Sequence, residues 1–192
     1  MTQKKQNLWN VPNVLTMIRM LLIPVYWALF VHGYTYKALA VFLAASLTDL
    51  ADGYIARKYD LITDFGKLMD PLADKLMVLS VMLSLAIRGL APKTALIILL
   101  CKEALMVLGG AVLLEKGVVV YARVIGKAAQ TLVVTGLILC FFHEWILEHL
   151  GFPLHTIVIW CAVGLTLCAL LAYGRSAIRL YREAGKKEAE NP

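Results

Sequence analysis

Six apolar stretches, approximately residues 11–31, 38–57, 68–87, 94–114, 124–142 and 153–174, follow one another with only short polar connectors between them. A helix crosses a ~30 Å hydrocarbon layer with about 20 residues and satisfies its own backbone hydrogen bonds, which a lone strand cannot do. The pattern therefore predicts an all-α integral membrane protein with six transmembrane helices. Composition agrees, since 60% of the 192 residues are hydrophobic and 17% charged, against roughly 45–50% and about 25% in soluble chains. Residues 1–10, with Leu8 and Trp9 behind two lysines, suit an interfacial segment, 11–176 a six-helix membrane domain and 177–192 a basic tail. No small-residue cleavage site follows the first apolar run, so it is expected to be retained.

A formal net charge of +6 raises the question of nucleic acid, but no basic-aromatic stripe exists and the cations sit at the ends of the apolar runs. No nucleic acid partner is expected; orientation and anionic headgroups account for the charge. Fifteen Lys and Arg residues fall on the side holding both termini, and only Lys37, Arg88 and Lys93 on the other. The positive-inside rule then puts both termini in the cytoplasm. Cys101, Cys140, Cys161 and Cys168 lie inside apolar runs without ligand spacing and read as reduced packing residues.

All six aspartates occur in "LTDLADGYIARKYDLITDFGKLMDPLADK", residues 47–75. Asp49 and Asp52 are three apart near the end of the second span, and Asp70 and Asp74 four apart early in the third, so each pair shares a helix face. A short loop makes the two spans antiparallel neighbours, which lets the faces meet. An aspartate inside the hydrocarbon costs roughly 3 kcal/mol on insertion scales, and neighbouring carboxylates also repel one another. Solvated loop positions account for Asp60 and Asp64; the other four require a cation. Carboxylates without His or Cys select a hard ion such as Mg²⁺, Mn²⁺ or Ca²⁺, and four suffice for two ions, an arrangement suited to phosphate chemistry. Ala51, Gly53, Ala56 and Gly66 leave room for a ligand beside the acids, although small residues also serve plain helix packing. Arg57 stands where it can meet a phosphate or cap its helix end, and Pro71 is expected in the first turn of the third helix.

The run Asp49-x2-Asp52-Gly53-x2-Ala56-Arg57-x8-Gly66-x3-Asp70-x3-Asp74 resembles the signature of the CDP-alcohol phosphotransferase family in every fixed residue and gap. The resemblance implies a six-helix enzyme, usually homodimeric, that displaces CMP from a CDP-linked lipid by an alcohol. It further implies that Asp49, Asp52 and Asp70 hold two divalent cations, Mg²⁺ or Mn²⁺, with Asp74 as general base and possible further ligand. Gly53, Ala56, Arg57 and Gly66 would line the CDP pocket. "NVPNVLTMIR" and "DFGKLMDPLADKLMV" look most like the phosphatidylglycerophosphate synthase branch, which joins CDP-diacylglycerol to glycerol 3-phosphate. Cardiolipin synthases, with phosphatidylglycerol as acceptor, share much of the pattern. The implied setting is a bacterial cell membrane with the active site on the cytoplasmic side.

Asn13, Thr16 and Arg19 recur every three residues on one face of the first helix. They suit either the substrate pockets, Asn13 and Thr16 toward CDP and Arg19 toward the acceptor, or polar helix contacts with a snorkelling arginine. Arg123 and Lys127, four apart at the start of the fifth span, are candidates for an acceptor phosphate. Gly126-Lys127 matches the family, whereas Ala128, Ala129, Gln130 and Thr131 depart from its usual continuation. Lys102 and Glu103 lie inside the fourth apolar run; Lys102 joins the acceptor candidates, with bundle or dimer contacts as the other reading. As sequence neighbours about 100° apart they need not pair with each other. "HEWILEH" lacks the His that a metalloprotease helix requires, and Gly109-Gly110 suits a close helix crossing. From another class, the acids alone would also suit a protein that binds or transports divalent cations without chemistry.

Overall fold

The computed structural model describes residues 10–58, 63–115 and 124–190, without the side chains of 50–57, 64, 65, 67, 68, 110–115 and 181–190. The described residues form seven helices and no strand: α1 Val11–Val31, α2 Thr35–Lys58, α3 Asp64–Ile87, α4 Lys93–Glu115, α5 Val124–Phe141, α6 His143–Leu150 and α7 Leu154–Glu190. Six of them follow the apolar runs within a few residues, except where α3 starts earlier and α7 ends later than expected. Val11–Val31, Val124–Phe141 and Leu154–Leu180 are long and apolar enough to cross a membrane. α7 has 37 residues, a length of roughly 55 Å at 1.5 Å per residue, so its basic C-terminal part continues past any single bilayer core as the same helix.

Two expectations are corrected. The connector after the fifth run contains the eight-residue helix α6, closed by Gly151 in a left-handed conformation at φ 72°, as a C-terminal cap demands. Pro71 lies inside α3, seven residues after its first residue, Asp64, and not in the first turn. The helix begins early because Thr63 caps it, its hydroxyl accepting from the Gly66 amide at 3.0 Å.

The chain divides into two compact units, up to Ser84 and from Leu85 onward, with the boundary inside α3. In the first, α1 packs along α2, around buried Tyr26, Phe30, Phe42 and Ala45. Asn10 opens α1 by accepting from the Asn13 amide at 3.0 Å, with Pro12 in the first turn, where no amide is needed. Farther along, the Tyr26 hydroxyl meets Ser84 Oγ at 2.6 Å, tying α1 to α3.

In the second unit α5, α4 and α6 pack on α7. α5 meets α7 closely at Gly136, where a Cβ would stand 2.8 Å from Ile159 Cγ1 and 3.3 Å from the Ile159 backbone nitrogen. Gly136→Val is therefore expected to lower stability by about 1–3 kcal/mol through overpacking, measurable as a lower Tm in detergent. Gly109, by contrast, has no described neighbour within 4 Å of its Cβ position, so the expected close crossing is not seen there. Lys102 and Glu103 do pair with each other, both largely buried on α4. The four cysteines are free, with Cys140 buried and the rest exposed.

Candidate active site

Asn13, Thr16 and Arg19 line one face of the start of α1, and each is only 1% exposed. The spacing of three places them one above another on the helix, and the apolar residues between them turn elsewhere. A buried polar row of this kind must find partners. It finds them on α2 and α3.

Arg19 turns to α2. Its Nη1 lies 3.0 Å from Asp49 Oδ1, and its Nε donates to the Ala45 carbonyl at 3.4 Å. Ala45 is one turn before Asp49, and its fully buried methyl group lets the guanidinium reach the backbone of α2. The arginine does not snorkel toward a headgroup layer. Asp49 itself is 36% exposed.

Thr16 and Asn13 turn to α3. The Thr16 hydroxyl donates to Asp70 Oδ1. Asn13 Oδ1 accepts from the Thr63 hydroxyl at 2.9 Å, and Thr63 in turn caps α3 through Gly66. A Cβ added at Gly66 would lie 3.0 Å from Asn13 Oδ1, 3.2 Å from Thr63 Oγ1 and 3.4 Å from Asp70 Oδ2. Glycine is thus favoured by space, since a Cβ here would press on side-chain oxygens of Asn13 and Thr63. Gly66→Ala is expected to push Asn13 and Thr63 apart and to destabilise by about 1–3 kcal/mol, which a Tm comparison with the wild type checks.

Asp49 and Asp70 lie within electrostatic reach of each other, so two like charges from α2 and α3 stand near Arg19. Asp74 is one helical turn after Asp70 on the same face of α3 and is partly buried. Asp52, Gly53, Ala56 and Arg57 belong to the last turns of α2, and their side chains lie outside the described residues, as Arg123 does entirely. Lys127 is exposed in the first turn of α5, and Lys102 pairs with Glu103; both belong to the second unit.

The carboxylates of Asp49 and Asp70 are oxygen donors, which fit a hard divalent cation in chemistry. Among the described residues no three His, Cys, Asp or Glu side chains gather closely enough to hold a metal; the expected set also needs Asp52. The histidines of α6 are engaged locally: His143 Nδ1 lies 3.1 Å from the Cys140 carbonyl, and His149 stacks on Trp145 at 4.4 Å. Thr63 is the site residue that the sequence reading missed. A threonine followed by Asp64, just ahead of a helical run, is the capping signal that marks it.

The buried face of α1 thus holds the carboxylates of Asp49 on α2 and Asp70 on α3. Residues 9–168 match the CDP-alcohol phosphatidyltransferase family, and the chain belongs to it. It is therefore an enzyme and a membrane protein, and the non-catalytic cation-binding reading falls. Among its relatives, the CDP-diacylglycerol–glycerol-3-phosphate 3-phosphatidyltransferase of Bacillus subtilis (strain 168) is 34% identical over 83% of this chain and 91% of its own length. The protein of the same name from Rickettsia typhi is 43% identical over 50% of this chain and 56% of its own length. A cardiolipin synthase (CMP-forming)/mitochondrial hydrolase fusion protein of Schizosaccharomyces pombe is 40% identical over 54% of this chain and 17% of its own length.

Proposed function

We propose that this protein transfers the phosphatidyl group of CDP-diacylglycerol to glycerol 3-phosphate, forming phosphatidylglycerophosphate and releasing CMP. The observation that supports the reading most is the buried cluster in which Arg19 grips Asp49 and Thr16 grips Asp70. The likeness to the Bacillus subtilis phosphatidyltransferase over most of both chains favours glycerol 3-phosphate as the acceptor.

In this reading Asp49, Asp52 and Asp70, with Asp74 as a further ligand, hold two divalent cations, Mg²⁺ or Mn²⁺. When bound, the ions supply positive charge against the diphosphate and the departing CMP. Asp74 takes the proton from the attacking hydroxyl of the acceptor. The acceptor oxygen bonds to the phosphorus that carries the diacylglycerol, the bond from that phosphorus to the bridging oxygen breaks, and CMP leaves with that oxygen. Thr16 and Arg19 hold the carboxylates of Asp70 and Asp49 in place, which lowers the reorganisation needed during the reaction. Gly53, Ala56, Arg57 and Gly66, with Asn13 and Thr16, line the CDP side. Arg19, Lys102, Arg123 and Lys127 are the residues assigned to the acceptor.

The six long helices act as six spans of a domain covering 11–176, between an interfacial segment at 1–10 and a basic tail at 177–192. Both termini and the site face the cytoplasm of a bacterial cell, and the enzyme works as a homodimer among membrane lipids. The partial likeness to the Schizosaccharomyces pombe cardiolipin synthase fusion favours one second reading, with phosphatidylglycerol as acceptor. Purified protein supplied with CDP-diacylglycerol and Mg²⁺ or Mn²⁺ is offered glycerol 3-phosphate, phosphatidylglycerol and inositol phosphate separately. Phosphatidylglycerophosphate from the first is expected; a lipid product formed only from phosphatidylglycerol overturns the acceptor.

A further inference from the structure

An apolar cavity of about 260 Å³ opens beside the carboxylate cluster, lined by Thr16, Met17, Met20 and Leu21 of α1 and Met69 of α3. Positions 16, 17, 20 and 21 form one stripe along α1. Thr16 is buried at 1% exposure and donates to Asp70, whereas Met17 and Leu21 are 38% and 68% exposed. Met69 directly precedes Asp70 in the chain. One end of the cavity thus adjoins a signature carboxylate, and the other opens on the outer side of α1. The space is smaller than the roughly 300–1,000 Å³ of a small-molecule pocket, and among the described residues its lining carries no cation. Such a lining suits a length of hydrocarbon.

We propose that this cavity is the exit for one acyl chain of the lipid donor, holding the methylenes nearest the glycerol and passing the chain out between Met17 and Leu21. The inference rests on the proposed function, which makes the donor a diacylglycerol linked to a diphosphate. Within a few bonds of that diphosphate the molecule becomes wholly apolar, so a chain leaving Asp70 requires an apolar path that starts there. The space beside Thr16 and Met69 starts there. Three of the five lining side chains are methionines, unbranched and able to repack, so the exit selects hydrocarbon over headgroup and tolerates chains of differing shape.

The test uses the full-length protein in nanodiscs and CDP-diacylglycerol with a diazirine near the carboxyl end of one acyl chain. Photolabel is expected on peptides containing residues 16–21 or Met69, and excess unlabelled CDP-dioleoylglycerol should remove it while phosphatidylcholine does not. Labelling confined to other helices, or labelling that phosphatidylcholine competes away equally well, overturns the proposal; the second outcome makes the cavity a seat for bulk lipid. Met20→Trp, which fills the space, is expected to shift the ratio of kcat/KM for dioleoyl over dihexanoyl donor down about tenfold, equivalent to displacing roughly two methylenes. An equal loss with both donors also counts against it. If the wild-type protein labels specifically here yet releases CMP with no alcohol, the proposed reaction fails while the lipid exit stands.

Discussion

Asp74→Asn protein is expected to release CMP from CDP-diacylglycerol about 10²–10⁴ times more slowly than the wild type, the usual contribution of a positioned general base. Asparagine keeps the size and most of the contacts of aspartate but cannot take a proton. Asp74 stands one turn beyond Asp70 on the same face of α3 and is partly buried. A role in the proton step predicts a fall in kcat with little change in KM for the lipid. A role confined to holding the helix predicts a lower Tm with kcat nearly kept. Single-turnover CMP release alongside thermal unfolding separates the two.

Arg19→Met is expected to affect the fold as well as the reaction. Methionine fills part of the space of a side chain that is 1% exposed, so the main loss is the ion pair with Asp49. Removing one member of a buried pair costs roughly 3–5 kcal/mol where the remaining charge has no other solvation. Asp49 is 36% exposed, so the loss should fall at or below the lower end of that range. A domain of this size then unfolds roughly 6–12 °C lower. Arg19→Lys is expected to recover part of the stability, because a lysine keeps the charge but lacks the second donor that reaches the Ala45 carbonyl. An unchanged Tm in Arg19→Met would show that the pair contributes nothing.

The long helices were legible because each carries an unbroken apolar run, and the acidic cluster because three- and four-residue spacings put the acids on shared faces. The same spacing singled out Asn13, Thr16 and Arg19 but left two readings open. Which of them holds depends on how α1 is rotated against α2 and α3, a tertiary property that no local pattern carries. The structure turns this face inward, onto Asp49 and Asp70, and buries the arginine that might have reached for the headgroups. Helix ends were least legible. α3 begins at Asp64 because Thr63 caps it, and that polar turn precedes the apolar run on which the expected boundary relied. α6 is short and mixes His143, Glu144 and His149 with Trp145 and Ile146, a composition that reads as a connector until Gly151 closes it. The pairing of Lys102 with its immediate neighbour Glu103 was missed for another reason. Helical geometry separates their Cβ atoms, but a long lysine in apolar surroundings bends back to the closest anion.

The account depends on α2 and α3 presenting carboxylates to one shared space where doubly charged ions are held. Mn²⁺ titration of the purified protein with CDP present, followed by electron paramagnetic resonance of the free ion, measures this directly and needs no turnover. Saturable binding of two ions per chain is predicted, weakened by more than tenfold in both Asp49→Asn and Asp70→Asn when the signal is normalised to the folded fraction of each variant. Mn²⁺ binding of undiminished strength in both variants, or none in the wild type, would contradict it.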